Sequence, residues 1–134
     1  MAQAVSQTVN LTELSVIVPI YNEEESIKPL CERLLSVLDE MGKPFEVIFV
    51  NDGSSDNSFS LLQDAAKERI ELKIVNFRRN YGQTAATMAG IDHASGEVII
   101  PIDADLQNDP ADIPKLLGKL AEGYDVVSGW RKDR

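Results

Sequence analysis

Two carboxylates stand close together at residues 103 and 105, directly after an apolar run that predicts a buried strand. In an extended chain, side chains two residues apart point to the same side, so Asp103 and Asp105 would face one point. Gln107 could reach that point from the following turn. Two unpaired carboxylates this near each other repel, and a divalent cation removes the repulsion. Oxygen ligands without a nearby His or Cys favour Mg²⁺ or Mn²⁺, so the segment predicts a metal site with room for phosphate oxygens of a substrate.

Helix capping is the alternative interpretation of the acidic residues in this segment. Asp105 or Asp109 could cap the helix that follows, because Asp is a preferred N-cap residue. Asp109 stands directly before Pro110, which suits the first position of a helix. Since Asp109 can supply the cap by itself, we favour the metal interpretation for Asp103 and Asp105.

The elements that must position these carboxylates are predicted to alternate between strands and helices. Short runs rich in Val and Ile are apolar on both faces, which is typical of strands in a covered parallel sheet. The segments between them repeat apolar residues at helical spacing, as in Ile27, Leu30, Cys31, Leu34, Leu35 and Leu38. The predicted strands cover residues 15–20, 45–50, 72–75, 97–102 and 124–129.

The starts of the four predicted helices carry capping and packing signals. Asn22 is predicted to cap the first helix, with Glu25 in the capping-box position. The second helix is predicted to begin near Asp56. The third, GQTAATMAGIDHA, is built of small residues that would let it lie close to the sheet. The fourth is predicted to begin at the segment DPAD, with Asp109 as its cap.

Right-handed crossovers between parallel strands predict a doubly wound, Rossmann-like α/β sheet. Ligands bind such sheets outside the carboxyl ends of the strands, so the residues that follow each strand are the candidate site. In chain order, these stretches read PIYNEEE, VNDGSSDNS, NFRRNYGQ, IDADLQNDP and SGWR. Taken singly, the stretches other than IDADLQNDP are at least as typical of turns and helix caps as of a binding site.

Composition narrows the class of protein. The 134 residues carry a net charge of −9, which argues against nucleic acid as a partner, since phosphate backbones need a basic surface. The single Cys31 cannot form an internal disulfide, which favours a reducing compartment. No signal peptide or membrane-spanning run is visible. Residues 1–13 are predicted to be a flexible polar lead-in, and residues 14–134 a single domain.

Together the five strand-end motifs resemble those of the inverting family 2 glycosyltransferases, which have the glycosyltransferase-A fold. Within that family they are most similar to the polyprenyl-phosphate sugar transferases, of the dolichol-phosphate mannosyltransferase and undecaprenyl-phosphate glucosyltransferase types. The resemblance runs from about residue 14 to residue 134. It implies a mostly parallel sheet with helices on both faces, truncated here after the fifth strand.

The resemblance also implies an activity and a set of site residues. A hexosyl group would pass from a UDP- or GDP-sugar to a polyprenyl phosphate with inversion, in cell-envelope glycan synthesis, with Mg²⁺ or Mn²⁺ as cofactor. Asp103, Asp105 and Gln107 would hold the metal. No catalytic base is assigned in this chain. The implied nucleotide-sugar site consists of Pro19, Tyr21, Glu23, Val50, Asp52, Asp103, Ala104, Asp105, Gln107 and Arg131.

Relatives continue beyond the SGWR segment with more catalytic domain and membrane-associated helices, whereas this chain stops at Arg134. We therefore expect this chain alone to bind a donor without transferring its sugar, and membrane contact only through segments missing here. The expected location is the cytoplasm, or the cytoplasmic face of a membrane for a full-length relative.

Three other functions compete with this interpretation. A family 2 transferase could act on a saccharide or protein acceptor, and the donor-binding motifs do not separate these cases. A non-catalytic nucleotide-sugar-binding module is the second. A signalling receiver domain is the third, but it needs an acidic pair after strand one and a lysine after strand five. Here YNEEE and SGWR stand at those places, so the receiver is the least favoured.

Overall fold

The computed structural model of the chain describes residues 12–105 and 109–121. Its four strands form one parallel sheet in the order β3-β2-β1-β4. The strands are β1 Leu14–Ile20, β2 Phe45–Asn51, β3 Leu72–Asn76 and β4 Val98–Pro101, and the helices are α1 Glu24–Met41, α2 Ser58–Glu68, α3 Gln83–His93 and α4 Ile113–Ala121. The predicted strand over residues 124–129 lies outside the described residues.

The strand order places a topological switch point beside β1. The chain moves outward from β1 through β2 to β3, and then returns to pair β4 with the other side of β1. All three pairings are parallel, so the carboxyl ends of the four strands lie along one edge. In open α/β sheets, ligands bind where the strand order reverses. The crevice between the ends of β1 and β4 is therefore the place to look for a site.

Helices cover both faces of the sheet, as the two-sided apolar strands predicted. Helices α1, α2 and α4 contribute to the larger hydrophobic core on one face, and α3 packs on the other face. The predicted inner face of α1 is confirmed, since Ile27, Leu30, Cys31, Leu34 and Leu38 are buried. Burial raises the pKa of the Cys31 thiol to about 11, so this cysteine behaves as a neutral core residue. No helix in the described part is long and apolar enough to cross a membrane.

The small residues of α3 allow it to lie close against the sheet. Ala86 is fully buried, and Gly90 faces the side chains of Ile17 and Val50. A Cβ atom on Gly90 would overlap the Cγ2 atom of Ile17. The helix can therefore approach β1 and β2 only because this position has no side chain.

The starts of two helices differ in part from the sequence prediction. The N-cap of α1 is Glu23, and it makes no side-chain capping hydrogen bond. The prediction that Asn22 caps α1, with Glu25 in a capping box, is therefore wrong. Asn22 has a φ of 52°, which turns its side chain toward the loop after β2. The predicted cap Asp109 is confirmed, because it accepts from the Ala111 N–H at 3.0 Å, in a 3₁₀ turn that precedes α4.

A buried carboxylate ties the strands together at the amino-terminal end of the sheet. The Glu46 side chain is 2% exposed and accepts hydrogen bonds from Lys73 Nζ at 2.8 Å and Ser15 Oγ at 2.6 Å. It also accepts from the backbone N–H of Ser95 at 2.7 Å. Burial alone would raise the pKa of Glu46, but these hydrogen bonds outweigh it and lower the pKa to about 2. Glu46 therefore remains ionised and links β1, β2, β3 and the turn before β4.

Acid is expected to remove the contribution of Glu46 to stability. Because its pKa is depressed in the folded chain, that contribution is complete above pH 4.5 and is lost as the pH falls toward about 2. Between pH 6 and pH 2.5, the difference in unfolding free energy between wild type and Glu46→Gln should narrow by about 2 kcal/mol. Urea unfolding at both pH values measures it, with the exposed Glu40→Gln as control. If the difference in unfolding free energy between the two chains does not change with pH, the pKa of Glu46 is not depressed by folding.

Candidate functional site

An open cleft of about 570 Å³ lies at the carboxyl edge of the sheet, beside the switch point. Residues at or just after the ends of β1, β2 and β4 form three of its sides, and the first residues of α3 with the segment before them form the fourth. The lining residues are Pro19, Ile20, Tyr21, Glu23, Asp52, Asn80, Gly82, Gln83, Asp103, Ala104 and Asp105.

Most of the site residues predicted from the sequence meet in this cleft. Only Val50, among those described, does not line it, because its side chain is fully buried in the core beneath α3. Gln107 and Arg131 lie outside the described residues. Those that the structure brings together are Pro19, Tyr21, Glu23, Asp52, Asp103, Ala104 and Asp105.

Side chains from the loop after β2 cap the first turn of α1. The Glu23 N–H donates to Ser58 Oγ at 3.0 Å, and the Glu24 N–H donates to Asp56 Oδ2 at 3.2 Å. Burial alone would raise the pKa of Asp56, but hydrogen bonds from Ser58 and from the Glu24 amide hold that pKa below its usual range. The amides that a helix start leaves unpaired are thus satisfied across the cleft wall.

The loop after β1 caps the start of α2 in return. Asn22 Oδ1 accepts from the backbone N–H of Ser55 at 2.8 Å and from that of Asp56 at 3.3 Å. Glu24 Oε1 accepts from the Asn57 N–H at 2.8 Å. The two loops therefore hold each other in place. Tyr21 and Glu23 lie in the loop after β1, so the contacts between the two loops also position these residues.

Asp52 is buried at the end of β2 and holds the segment that leads into α3. Its carboxylate accepts from the backbone N–H of Tyr81 at 2.7 Å and from that of Gly82 at 3.0 Å. The Asn80 side chain donates to the same carboxylate at 3.1 Å. Only 3% of Asp52 is exposed. One carboxylate therefore holds three consecutive residues in place, of which Asn80 and Gly82 line the cleft.

Ring contacts support the same segment from its outer side. The guanidinium of Arg79 lies 4.8 Å from the centroid of the Tyr81 ring, and Phe77 meets that ring edge-on at 5.5 Å. Both arrangements are favourable for aromatic rings. Neither Arg79 nor Tyr81 lines the cleft.

The carboxylates after β4 reach the cleft through a short departure from the sheet. The Ile102 N–H donates to the Ile17 carbonyl at 2.9 Å, which carries the pairing with β1 one residue beyond β4. Ala104 is buried, while Asp103 and Asp105 on either side of it line the cleft. Both carboxylates of the predicted pair therefore line one cleft, and the metal role that the sequence assigns to them stays a prediction.

The ligand set of the cleft suits a hard divalent cation that also binds a substrate. The described residues contain no group of three or more His, Cys, Asp or Glu side chains arranged to hold a metal. Asp103 and Asp105 offer two carboxylates at the cleft. Two protein carboxylates are typical of Mg²⁺ sites whose other ligands are water and substrate phosphates. Four carboxylates line the cleft and no Lys or Arg does so in the described part, which makes a cation there electrostatically favourable.

Sequence reasoning named the motif that supplies the fourth side of the cleft but gave none of its residues a role. Asn80, Gly82 and Gln83 follow β3 at the same edge as the other motifs. The signal was therefore available in the rule that residues after each parallel strand converge. Their polar character alone did not distinguish them from a turn.

Two curated relatives match nearly the whole chain. The undecaprenyl-phosphate 4-deoxy-4-formamido-L-arabinose transferase of Pectobacterium carotovorum subsp. carotovorum (strain PC1) is 48% identical over 126 residues. The enzyme of the same name from Enterobacter sp. (strain 638) is 47% identical over 123 residues. The matches cover 93% and 91% of this chain, but the chain spans only 38% of the length of either relative.

Solved structures share the arrangement of strands and helices. S. aureus TarS in complex with UDP-GlcNAc superposes with a TM-score of 0.65 at 26% identity, over 83% of this chain and 32% of that one. Mannosyltransferase PcManGT from Pyrobaculum calidifontis, in complex with GDP-Man and Mn²⁺, gives a TM-score of 0.57 at 32% identity. That match covers 69% of this chain and 27% of the mannosyltransferase.

The family description that matches the chain is "Glycosyl transferase family 2", over residues 15–134. This range contains every strand, every helix and every cleft residue described above except the first residue of β1. It confirms the resemblance drawn from the strand-end motifs and the glycosyltransferase-A-like sheet. The chain belongs to glycosyl transferase family 2.

Proposed function

We propose that this chain is the donor-binding part of a glycosyltransferase that uses a nucleoside-diphosphate sugar together with Mg²⁺ or Mn²⁺. The observation that carries the proposal is the meeting of Tyr21, Glu23, Asp52, Asp103 and Asp105 in one cleft at the switch point of the sheet. These residues come from three separate strand ends and line one cleft, although Asp52 also holds the segment that leads into α3. The transferase names of the relatives support the same activity.

The base of the nucleotide is assigned to the end of the cleft formed by Asp52 and Tyr21. Each carboxylate oxygen can accept two hydrogen bonds. Asp52 Oδ1 accepts from Tyr81, while Oδ2 accepts from Gly82 and Asn80, so Oδ1 retains capacity for one ring N–H. Uracil and guanine both offer such a donor. The side chain of Tyr21 is half exposed, and its ring offers a face for stacking.

The diphosphate is assigned to the part of the cleft between Asp103, Asp105 and the start of α3. Gly82 and Gln83 begin that helix at the cleft, and the positive end of a helix dipole favours an anion. Asp103 and Asp105, with Gln107 as the sequence predicts, would hold the cation. A bound Mg²⁺ or Mn²⁺ would neutralise the charge that develops on the departing nucleoside diphosphate.

The acceptor class is assigned from the relatives. Both names join undecaprenyl phosphate to a sugar transferase, which supports a polyprenyl phosphate as acceptor. In the proposed reaction, an oxygen of that phosphate attacks the anomeric carbon of the donor with inversion. Such a lipid acceptor implies work at a membrane surface, and we assign the cytoplasmic side. The neutral, buried thiol of Cys31 is compatible with a reducing compartment.

Metal-dependent nucleotide binding tests the proposal. Calorimetric titration with UDP and with GDP, in Mn²⁺ and in EDTA, should show binding of one of them that is at least about tenfold tighter in Mn²⁺. The matching nucleoside, uridine or guanosine, is the control, because it lacks the diphosphate and its affinity should not respond to the metal. Equal diphosphate affinity in both buffers would remove the metal assignment. No binding of either diphosphate would remove the donor site itself.

A further inference from the structure

Gln83 joins the start of α3 to the first carboxylate after β4. Its Nε2 atom donates to Asp103 Oδ1 at 2.9 Å, across 20 positions of sequence. Both side chains line the cleft. Gln83 belongs to no set of residues predicted from the sequence, and its exposed side chain contributes little to the core. A contact that two exposed polar groups make inside a cleft points to a role in the site more than in folding.

The backbone position of Gln83 is set by the buried carboxylate of Asp52. The residues directly before it, Tyr81 and Gly82, donate their backbone N–H groups to the buried Asp52. Gly82 has a φ of 104°, which glycine adopts at little cost, and its carbonyl accepts from the Ala86 N–H at 3.0 Å in the first turn of α3. Asp52 therefore determines where α3 begins and hence where the Gln83 side chain can reach.

A hydrogen-bonded path thus runs beside the cleft from Asp52 to Asp103. It passes from the Asp52 carboxylate through the Tyr81 and Gly82 amides, along one residue of backbone, and through the Gln83 side chain. Its two ends are the carboxylates assigned to the nucleobase and to the metal. A donor placed on one oxygen of Asp103 restricts the rotation of that carboxylate and directs its remaining lone pairs.

We propose that Gln83 is a positioning residue for Asp103, and that it holds this carboxylate in the orientation that binds the cation and diphosphate of the donor. The inference rests on the proposed function, since it needs a cation beside Asp103. Groups that hydrogen-bond to metal ligands commonly change metal affinity by ten- to a hundredfold when they are removed. Gln83 donates to Asp103 in this same way, through its side-chain amide.

The test compares nucleotide affinity of variants in Mn²⁺ and in EDTA. Gln83→Ala removes the side chain, and Gln83→Met keeps its length but has no N–H to donate. Both variants are titrated with the diphosphate that the wild-type chain binds. Their affinity should be about tenfold weaker than that of the wild type in Mn²⁺ and equal to that of the wild type in EDTA. Gln63→Ala is the matched control, because Gln63 is exposed on α2 away from the cleft.

Any other result contradicts either the role of Gln83 or the proposed function. Wild-type affinity of both variants in Mn²⁺ would show that Gln83 does not position Asp103. An equal loss in Mn²⁺ and EDTA would show that Gln83 contacts the nucleotide itself, which also overturns the inference. A loss confined to Gln83→Ala would assign the effect to side-chain volume instead of the hydrogen bond. If the wild-type chain shows no metal dependence, the proposed function fails first and the inference falls with it. Thermal unfolding of each variant verifies that the chain remains folded.

Discussion

Asp52→Ala is expected to reduce the unfolding free energy by about 3 kcal/mol, as well as weakening nucleotide binding. The carboxylate is almost fully buried and accepts from Tyr81, Gly82 and the Asn80 side chain. Hydrogen bonds to a charged group contribute about 1.5–3 kcal/mol each, and three donors would lose their acceptor. Water from the open cleft can reach some of these donors. The loss of unfolding free energy should therefore be close to that of one strong or two weaker hydrogen bonds, and not to the sum of three.

Two further variants separate the parts of this effect. Asp52→Asn keeps the shape of the side chain, but its NH₂ group must face one of the backbone donors, so we expect a loss of about 1.5–2 kcal/mol. Asp64→Ala, on the exposed face of α2, should change stability by less than about 0.5 kcal/mol. Urea unfolding measures all three. Wild-type stability of Asp52→Ala would mean that the segment over residues 80–82 is held without this carboxylate.

Nucleotide affinity of the folded Asp52→Ala chain then tests its role in binding the base. A charged hydrogen bond to a ring N–H would be lost, which corresponds to about 1.5–3 kcal/mol. Measurements below the unfolding transition, with the fraction folded determined in parallel, keep the two effects apart. If the folded chain retains wild-type affinity for its nucleotide, Asp52 positions the cleft wall and does not contact the base.

The sequence alone predicted the repeating parts of the fold, because they depend on local patterns. The apolar stripe of α1, with Leu30 and Leu34 fully buried, follows from spacing along a single helix. The strands follow from runs of Val and Ile, and their parallel order limits where a ligand can bind. Asp103 and Asp105 were assigned correctly to the cleft, since their spacing and their place after β4 both follow from adjacent residues.

The sequence-based predictions failed or were incomplete where a side chain forms hydrogen bonds to residues that are distant in the sequence. Asn22 has the residue type and position of an N-cap, yet its side chain accepts from amides 33 and 34 residues further on. Nothing near Asn22 in the sequence indicates that this loop lies beside the loop after β2. Likewise the position of Asp52 at a strand end does not indicate that its hydrogen-bond partners stand 28 to 30 residues ahead, nor that the side chain is buried. Only the packed fold shows which of two competing donors a polar side chain meets.

Gly53→Ala is expected to have an effect at least as large as Asp52→Ala, because it acts on the same wall by steric overlap. Gly53 has a φ of 71°, a left-handed conformation that costs an L-residue about 1–2 kcal/mol. An added Cβ atom would also overlap main-chain atoms of Arg79 and Asn80, which cannot move aside as a side-chain tip can. Overpacking costs about 1–3 kcal/mol, and overlap with main-chain atoms belongs to the upper half of that range, so the total should be about 3–5 kcal/mol.

Gly42→Ala provides a matched control for backbone strain. Gly42, at the end of α1, has a φ of 70°, and an added Cβ atom there would meet nothing within 4 Å. Its substitution should therefore cost only the conformational part, about 1–2 kcal/mol. The difference between the two variants in urea unfolding isolates the contact between Gly53 and the segment over residues 79–80. Equal losses would show that this segment shifts without cost and that the cleft wall is not held closely against β2.

The same pair of variants tests whether close packing of this wall shapes the binding site. The backbone of Arg79 and Asn80 can retreat from a new Cβ only by drawing the following residues away from Asp52. Such a shift would carry the start of α3 out of place, so the folded Gly53→Ala chain should bind its nucleotide at least about tenfold more weakly. Gly42→Ala should bind it as the wild type does, because Gly42 does not line the cleft. Wild-type affinity in folded Gly53→Ala would mean that the site tolerates displacement of this wall.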